Sequence, residues 1–275
     1  MKQLKIFLAI GLMFIVLFSC KKNEYRETID EIILSQQETQ SDEILADVDL
    51  LVDEALLVNT GQLKSGTIRS SFYLSDCAVI TKNTTASPEV ITIDFGTSCT
   101  GKDGKIRSGK IIVSSDSFTT FPSVRKKSFE NYSVDGKKIE GSMVKTILKD
   151  NDNNIRTATI QEDITVTLPN NEGTAHRVAN LTRQYQLNEL GIQNDNQVVS
   201  WGTVEFTRIS GFKVTKTISA VDPLVYKADC HHIVSGTVSL TTSNNHNWSV
   251  NFGNGECDNK ATLTVGNRTK EITMR

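Results

Sequence analysis

The chain has 275 residues, of which 38% are hydrophobic and 23% charged, so it can bury a core and is neither collagen-like nor compositionally disordered. Its 30 basic and 32 acidic residues give a formal net charge of −2, which argues against a nucleic-acid partner because such proteins usually carry a basic excess. Aromatic residues make up only 7% of the chain, whereas Thr, Val and Ile are abundant, and this composition favours β-structure.

The N-terminus has the layout of a bacterial signal peptide. Lys2 and Lys5 precede an apolar or small-residue run over Ile6–Phe18, which is shorter than the about 20 residues that a membrane-spanning helix needs. The run ends in Leu17-Phe18-Ser19-Cys20, which resembles a lipobox, with an aliphatic residue, a small residue and a cysteine that takes up lipid. We therefore expect residues 1–19 to be a lipoprotein signal peptide. A plain secretory signal and an N-terminal anchor helix are the alternatives.

Acylation at Cys20 would hold the mature chain on a membrane, because two or three acyl chains anchor a protein stably where one does not. Lys21 and Lys22 follow this cysteine, where lipoproteins retained at the inner membrane carry Asp, so we expect an outer-membrane location. The protein would face either the periplasm or the cell surface. Residues 20–40 are the lipidated N-terminus and a polar tether.

One amphipathic helix is predicted over residues 41–60. Apolar residues recur there at spacings of three, four and seven, and acidic residues fill most positions between them. Ser41 is a suitable N-cap, and Gly61 is a suitable C-terminal stop. We expect the apolar face to pack on a sheet, while the acidic face argues against an anionic membrane surface. The apolar positions are Ile44, Leu45, Val48, Leu51, Val52, Ala55 and Leu56, and the acidic ones are Asp42, Glu43, Asp47, Asp49, Asp53 and Glu54.

From Thr67 onward the hydrophobic period changes to two, which predicts strands with one buried face. Asp135-Gly136 is typical of a type I′ turn between two such strands. Hairpins are also predicted from Ile155–Leu168 with Thr174–Leu187, and from runs over 197–209 and 212–220. Hairpins in succession predict a mainly β fold: a large antiparallel meander, as a curved sheet, sandwich or half-barrel, with one N-terminal amphipathic helix. We expect residues 67–275 to form a single antiparallel β-domain.

Two stretches of this domain are similar to each other, near residues 73–113 and 226–265. Tyr73-Leu74-Ser75-Asp76-Cys77 corresponds to Tyr226-Lys227-Ala228-Asp229-Cys230. Further along each stretch, a strand ending in Phe-Gly is followed by a second cysteine. We interpret the two stretches as similar modules in which each Gly ends a strand at a φ angle that a side chain disfavours.

Four cysteines remain after Cys20, an even number that predicts disulfides in the oxidising cell envelope. The bridges that close the shortest loops join the two cysteines of each module, and each would contribute roughly 3 kcal/mol in the chain-entropy model. The cysteines are Cys77 with Cys99 and Cys230 with Cys257. If the modules lie next to each other, a bridge between them is the alternative. A zinc site that adds His231 or His232 is disfavoured, because close Cys-x-x-Cys pairs are missing.

Other candidate sites are weak. Asp150–Asn154 begins like a calcium loop, but Ile155 replaces its Gly and Gln161 replaces its bidentate Glu, so we expect a polar turn. Trp201 and Trp248 could stack on sugars, but strand alternation places Trp248 on a buried face. We find no catalytic motif, so we assign no catalytic residue, metal or cofactor and expect the protein not to be an enzyme.

Three segments of the chain are distinctive: Asp94-Phe95-Gly96 followed by Cys99, the Gly-Lys-Ile at 109–111, and the segment Cys257–Val265. Together they resemble a recurrent family of uncharacterised Bacteroidota lipoproteins. The resemblance spans roughly residues 70–275, together with the acidic helix and the lipobox. It implies the same envelope location and the two cysteine modules, and it transfers no site residue.

These features favour a non-catalytic module anchored to the outer membrane, with a binding or structural role and an unknown protein, glycan or lipid ligand. One alternative is a periplasmic half-barrel-like carrier or chaperone for lipid or lipoprotein, which a large apolar cavity between helix and sheet would favour. The other is an envelope enzyme acting on glycan or peptide, which a cleft with two facing carboxylates would favour.

The lipobox interpretation predicts that Cys20 carries the label when cells expressing the protein are grown with a radioactive fatty acid. Cys20→Ala should abolish labelling, because the acceptor thiol is lost. Cys77→Ala, which leaves Cys20 in place, is the matched control and should stay labelled. Label that persists on the Cys20→Ala protein would show that the anchor lies elsewhere.

Overall fold

The computed structural model of the protein describes residues 41–56, 74–83, 85–148, 155–169, 173–187, 193–208, 211–227, 230 and 232–274. The predicted signal peptide, Cys20, the tether, the end of the predicted helix at 57–60 and the turn at 150–154 lie outside these residues. Residues 41–56 form helix α1. In the described ranges, no helix combines the length and the apolar character needed to cross a membrane.

In the part of the chain that the structure describes, fifteen antiparallel strands follow α1 and form one sheet. This confirms the mainly β fold, with one N-terminal helix among the described residues. The strands are β1 (Val79–Asn83), β2 (Glu89–Asp94), β3 (Cys99–Thr100), β4 (Ile106–Ser115), β5 (Ser123–Val134), β6 (Lys137–Ile147), β7 (Ile155–Thr167), β8 (Thr174–Leu187), β9 (Gln193–Arg208), β10 (Lys213–Ile218), β11 (Leu224–Tyr226), β12 (Ile233–Thr242), β13 (Asn247–Asn254), β14 (Lys260–Val265) and β15 (Arg268–Thr273).

Nearly every strand pairs with its neighbour in sequence, as expected for a meander. The order is β1-β2-β4-β5-β6-β7-β8-β9-β10-β12-β13-β14-β15, with β3 paired to β4, and β11 paired to both β9 and β12. The order begins with β1 and ends with β15, and no ladder joins these two among the described strands. The described strands therefore do not close into a ring.

The turn chemistry explains the hairpins. Asp135 and Gly136 connect β5 to β6 with φ angles of 49° and 76°, as the predicted type I′ turn requires. The Asp135 carboxylate also accepts a hydrogen bond from the Ile106 amide at 2.9 Å, which ties this turn to the start of β4. The hairpins β7–β8 and β9–β10 coincide with the other two predicted pairs, apart from shifts at the strand ends.

Each of the two similar modules contains one disulfide. Cys77 is joined to Cys99 and Cys230 to Cys257, with Cα–Cα distances of 5.7 and 5.6 Å, which is the pairing that the short loops favoured. The first module comprises β1 to β4 and the second comprises β12 to β14, so they lie towards opposite ends of the strand order. Each disulfide therefore closes a local loop near one end of the sheet.

A single large apolar cluster joins α1 to the sheet. The apolar stripe of α1 is buried in it, and alternate residues of most strands complete it. Trp248 belongs to this cluster with 4% exposure, so it packs in the core as the alternation predicted. Burial of the helix stripe supplies the hydrophobic driving force that holds α1 on the sheet.

Gly202, in β9, marks a close approach between two backbones. Its φ is 132°, and a Cβ built there would lie 2.2 Å from the Asn180 carbonyl oxygen in β8. Gly211, in the turn after β9, also has a positive φ of 79°, but an added Cβ would meet nothing within 4 Å. Gly202 is therefore needed both because its φ angle is positive and because a side chain would collide with β8, whereas Gly211 is needed only for its φ angle.

We expect Gly202→Ala to lower the free energy of unfolding by about 3 kcal/mol or more, because the methyl group forces β8 and β9 apart. Gly211→Ala should cost only about 1 kcal/mol, since it introduces backbone strain alone. Urea unfolding monitored by circular dichroism gives both values. Equal losses in the two variants would contradict the close approach.

Candidate binding groove

Helix α1 lies against the inner face of the sheet. Side chains of β4, β5, β6, β8 and β10 form ion pairs with it, and among its residues 41–56 only Glu43 is exposed. One sheet can surround a helix to this extent only if it curves round it. We call the sheet face that encloses α1, formed by the inward-facing side chains of β4 to β10, the groove.

The groove contains seven basic residues with relative exposures of 8% or less, which we call the seven buried cations. They alternate with outward-facing neighbours along the strands, as inward-facing residues do. Removing an ion from water costs several kcal/mol unless a counter-ion is close, so each of them needs an acidic partner. They are Arg107 on β4, Arg125 and Lys127 on β5, Lys145 on β6, Arg177 and Arg183 on β8, and Lys216 on β10.

The N-terminal half of α1 supplies two of these acidic partners. The Asp42 carboxylate contacts Lys216, and lies 2.8 Å from Arg177 Nη2. The Asp47 carboxylate lies 2.7 Å from Arg107 Nη2. Both aspartates are buried, so these pairs are shielded from solvent.

Asp49, two residues after Asp47 in α1, lies among three cations. Its carboxylate contacts Lys127, accepts a hydrogen bond from Arg183 Nη1 at 3.0 Å, and lies 3.8 Å from Lys145 Nζ. These side chains come from β5, β8 and β6, so a single carboxylate links three strands of the groove.

Asp53, one turn further on, bridges two adjacent strands. Arg125 Nη1 lies 2.9 Å from one of its oxygens and Lys145 Nζ lies 3.3 Å from the other. Arg125 and Lys145 are directly opposite each other in the β5–β6 ladder. Because like charges in that position repel, the Asp53 carboxylate between them is needed to hold both side chains inward.

Arg107 and Arg177 also have carboxylate partners that belong to the described sheet domain. Arg107 Nη2 lies 2.6 Å from Asp103, in the loop before β4. Arg177 Nε donates a hydrogen bond of 2.8 Å to Glu162 on β7. These two guanidinium groups would therefore keep a counter-ion even without α1.

The pKa directions follow from this arrangement. Burial alone would raise the pKa of Asp42, but Lys216 and Arg177 outweigh it and lower the pKa to about 2. Burial likewise opposes the effect of Lys145 and Arg125 on Asp53, and the net result is a lowered pKa. Burial and the nearby charges of Lys145 and Arg183 hold the pKa of Lys127 well below its usual value. The groove thus favours negative charge on its occupant.

Chemically, the groove can bind anions that also carry apolar groups. Its cations alternate with buried apolar residues, as Lys145 does between Met143 and Ile147. Throughout the described ranges, no three His, Cys, Asp or Glu side chains lie close enough together to hold a metal ion.

The residues singled out in the sequence lie elsewhere. Cys20 and His231 are outside the described residues, and the disulfide cysteines belong to the two modules. Trp201 is partly buried and packs against the core. Of these residues, the ones that the structure describes are not among the ion pairs of the groove.

The apolar face of α1 packs on the sheet, as predicted. The burial of acidic positions such as Asp42, Asp47 and Asp49 was not predicted. A signal for the groove was present in the sequence. Lys216 lies between Val214 and Ile218 in the apolar phase of its strand, where a surface lysine is not expected. When basic residues stand at the inward-facing positions of several strands and the chain also has one acidic helix, the sequence indicates that the helix and these basic residues pair.

Comparison with known proteins does not assign the chain to a family. No family model, no curated protein and no solved structure matches it at a significant level. The architecture is that of a single curved antiparallel sheet enclosing an acidic helix, and the groove itself is the basis for inferring function.

The lowered pKa of Asp42 predicts a pH dependence of stability. Because its folded-state pKa of about 2 lies below the ordinary 3.8, this carboxylate contributes about 2 kcal/mol above about pH 4, and the contribution is lost as the pH falls towards 2. Asp42→Asn should therefore weaken the loss of stability with acid, as measured by urea unfolding between pH 5 and pH 2. Asp222→Asn, in an exposed turn, is the control. Identical pH profiles for wild type and Asp42→Asn would contradict the pairing.

Proposed function

We propose that the protein is a non-catalytic binding module of the cell envelope, anchored to the outer membrane through Cys20, whose binding surface is the groove. In this proposal α1 is the resident occupant of the groove and keeps it closed until a ligand replaces it. The observation that carries the proposal is the set of seven buried cations on the inner face of the sheet, most of whose carboxylate partners belong to α1.

The energetics of buried charge support an exchangeable helix. Apolar residues of similar volume stabilise a permanent core as well as buried ion pairs do, or better. An all-apolar groove would expose a large hydrophobic patch whenever the helix left, with a risk of aggregation. A groove that contains seven cations can instead be hydrated in the open state. The charges thus favour a surface that is covered at some times and open at others.

The residues of α1 indicate the class of ligand. The helix presents an apolar stripe together with the carboxylates of Asp42, Asp47, Asp49 and Asp53, and the groove complements both. A replacement must combine an apolar portion with negative charge to satisfy the same surface. An anionic amphiphile, such as a lipid with a charged head group, meets both requirements. A neutral glycan meets neither.

The expected anchor supports a ligand of this kind. The tether over residues 21–40 can extend at most about 70 Å at about 3.5 Å per residue, so acylated Cys20 would keep the groove close to a bilayer. A carrier or chaperone for lipid or lipoprotein is a second candidate function, because removal of α1 would open a trough that is both apolar and cationic. Transfer of the ligand between membranes would separate the carrier from a module that only binds.

Hydrogen exchange measured by mass spectrometry tests the proposed function. Oleate, below its critical micelle concentration, should speed amide exchange in α1 of the mature protein at least tenfold, while β4 to β8 keep their protection. Monoolein, with the same acyl chain and no charge, is the matched control and should have a much smaller effect. Unchanged α1 exchange with oleate bound, or equal acceleration in the sheet, would contradict the proposal.

A further inference from the structure

The end of the groove that faces Asp49 and Asp53 differs from the rest of it. Arg125, Lys127, Lys145 and Arg183 meet there, and we call them the four-cation cluster. Among the described residues, their ion pairs are all with the two helix carboxylates, Asp49 and Asp53. The cluster therefore holds four basic side chains and only two paired carboxylates.

The other end of the groove is balanced. Arg107 and Arg177 there pair with both a helix aspartate and a carboxylate of the sheet domain. Glu162, a carboxylate of the sheet domain, acts electrostatically on Lys127 and Arg183. Its hydrogen bond is nevertheless made to Arg177 Nε. Departure of α1 would thus remove every paired carboxylate of the four-cation cluster and leave the other end partly neutralised.

The two carboxylates that α1 places in the four-cation cluster lie close to each other. Lys145 Nζ lies within 3.8 Å of Asp49 and 3.3 Å of Asp53, so both carboxylates converge on one ammonium group. Arg125 and Lys145, opposite each other in the ladder, need an anion between them. Two carboxylates at one place resemble a single group with a charge of about −2, which is the charge of a phosphate monoester near neutral pH.

Further donors and an apolar wall are available beside the cluster. Arg125 Nε and Tyr185 Oη are buried without a hydrogen-bond partner in the described part of the chain. The Tyr185 ring lies 4.9 Å from Lys145 Nζ and packs with Ile147 and Ala158 in a small apolar cluster of its own. A phosphate oxygen accepts such donors readily, and an attached alkyl chain has an apolar surface to follow.

We infer that the four-cation cluster is a phosphate-binding subsite of the groove, which takes the phosphate group of an amphiphile when α1 is displaced. Asp49 and Asp53 occupy the position of that phosphate while the helix is in place. Arginine binds phosphate oxygens through its fork of N–H donors and lysine adds a compact charge, so the side chains suit the ligand. The inference rests on the proposed function to the extent that the groove must open.

Isothermal titration calorimetry with the mature protein tests the subsite, using dodecyl phosphate below its critical micelle concentration as the probe. The double variant Asp49→Asn/Asp53→Asn should bind dodecyl phosphate at least tenfold more tightly than the wild type, because the competing carboxylates are gone. The matched control is Asp42→Asn/Asp47→Asn, which removes the same number of charges from the balanced end of the groove, and it should gain much less. Dodecyl maltoside, a neutral amphiphile, should not distinguish the two variants.

The outcomes separate this inference from the proposed function. Equal gains for dodecyl phosphate in both double variants would overturn the phosphate subsite and leave a groove that binds amphiphiles. Failure of every form to bind any amphiphile would overturn the proposed function itself. Inorganic phosphate that binds Asp49→Asn/Asp53→Asn as tightly as dodecyl phosphate would keep the subsite and assign it to the free anion.

A thermal measurement covers the case in which Asp49→Asn/Asp53→Asn is too unstable for calorimetry. Phosphate, compared with chloride at equal ionic strength, should raise the Tm of this variant by several degrees and that of Asp42→Asn/Asp47→Asn much less. The same Tm in both salts would overturn the subsite, because four adjacent cations without carboxylates would then show no preference for phosphate.

Discussion

The ion pairs between α1 and the inner face of the sheet are the interaction on which the rest of the structure depends. Seven cations at inward-facing positions cannot remain buried unless carboxylates accompany them, and most of those carboxylates come from one helix. The apolar stripe of α1 supplies the driving force for burial, while the charges decide what can be buried there. The cationic inner face of the sheet and the acidic helix that it encloses therefore depend on each other.

The same pairs determine how α1 lies in the groove. Asp42 meets side chains of β8 and β10, whereas Asp53 meets side chains of β5 and β6. A helix shifted by one turn or reversed would leave buried charges unmatched at both ends, and unmatched buried charges are far costlier than lost apolar contacts. We infer that the main effect of these buried ion pairs is to select one position of α1 in the groove, and that their net contribution to the free energy of unfolding is smaller.

The uneven distribution of carboxylates connects the fold to the proposed function. At one end of the groove Asp103 and Glu162 stay with the sheet, and at the other end the cations depend on α1 alone. A sheet built only to hold its own helix has no need of this asymmetry. A groove that exchanges its helix for an amphiphile would use the dependent end for the charged head group and the neighbouring apolar residues for the chain.

Much of the fold could be predicted because it depends on local patterns. The period of two predicted strands, Asp135-Gly136 predicted a hairpin through its positive φ angles, and successive hairpins predicted the meander. The spacing of Cys77, Cys99, Cys230 and Cys257 favoured the two local disulfides. Each of these features depends on residues near one another in sequence, which is why no knowledge of the tertiary structure was required.

The groove depends on contacts between distant residues. Asp47 and Arg107 are 60 residues apart, and Asp42 and Lys216 are 174 apart. The sequence by itself determined which residues share a face of each strand and that α1 has an acidic side. Only the tertiary structure decided that the acidic side is buried against the cations, because alternation identifies the residues of one face and not what that face meets.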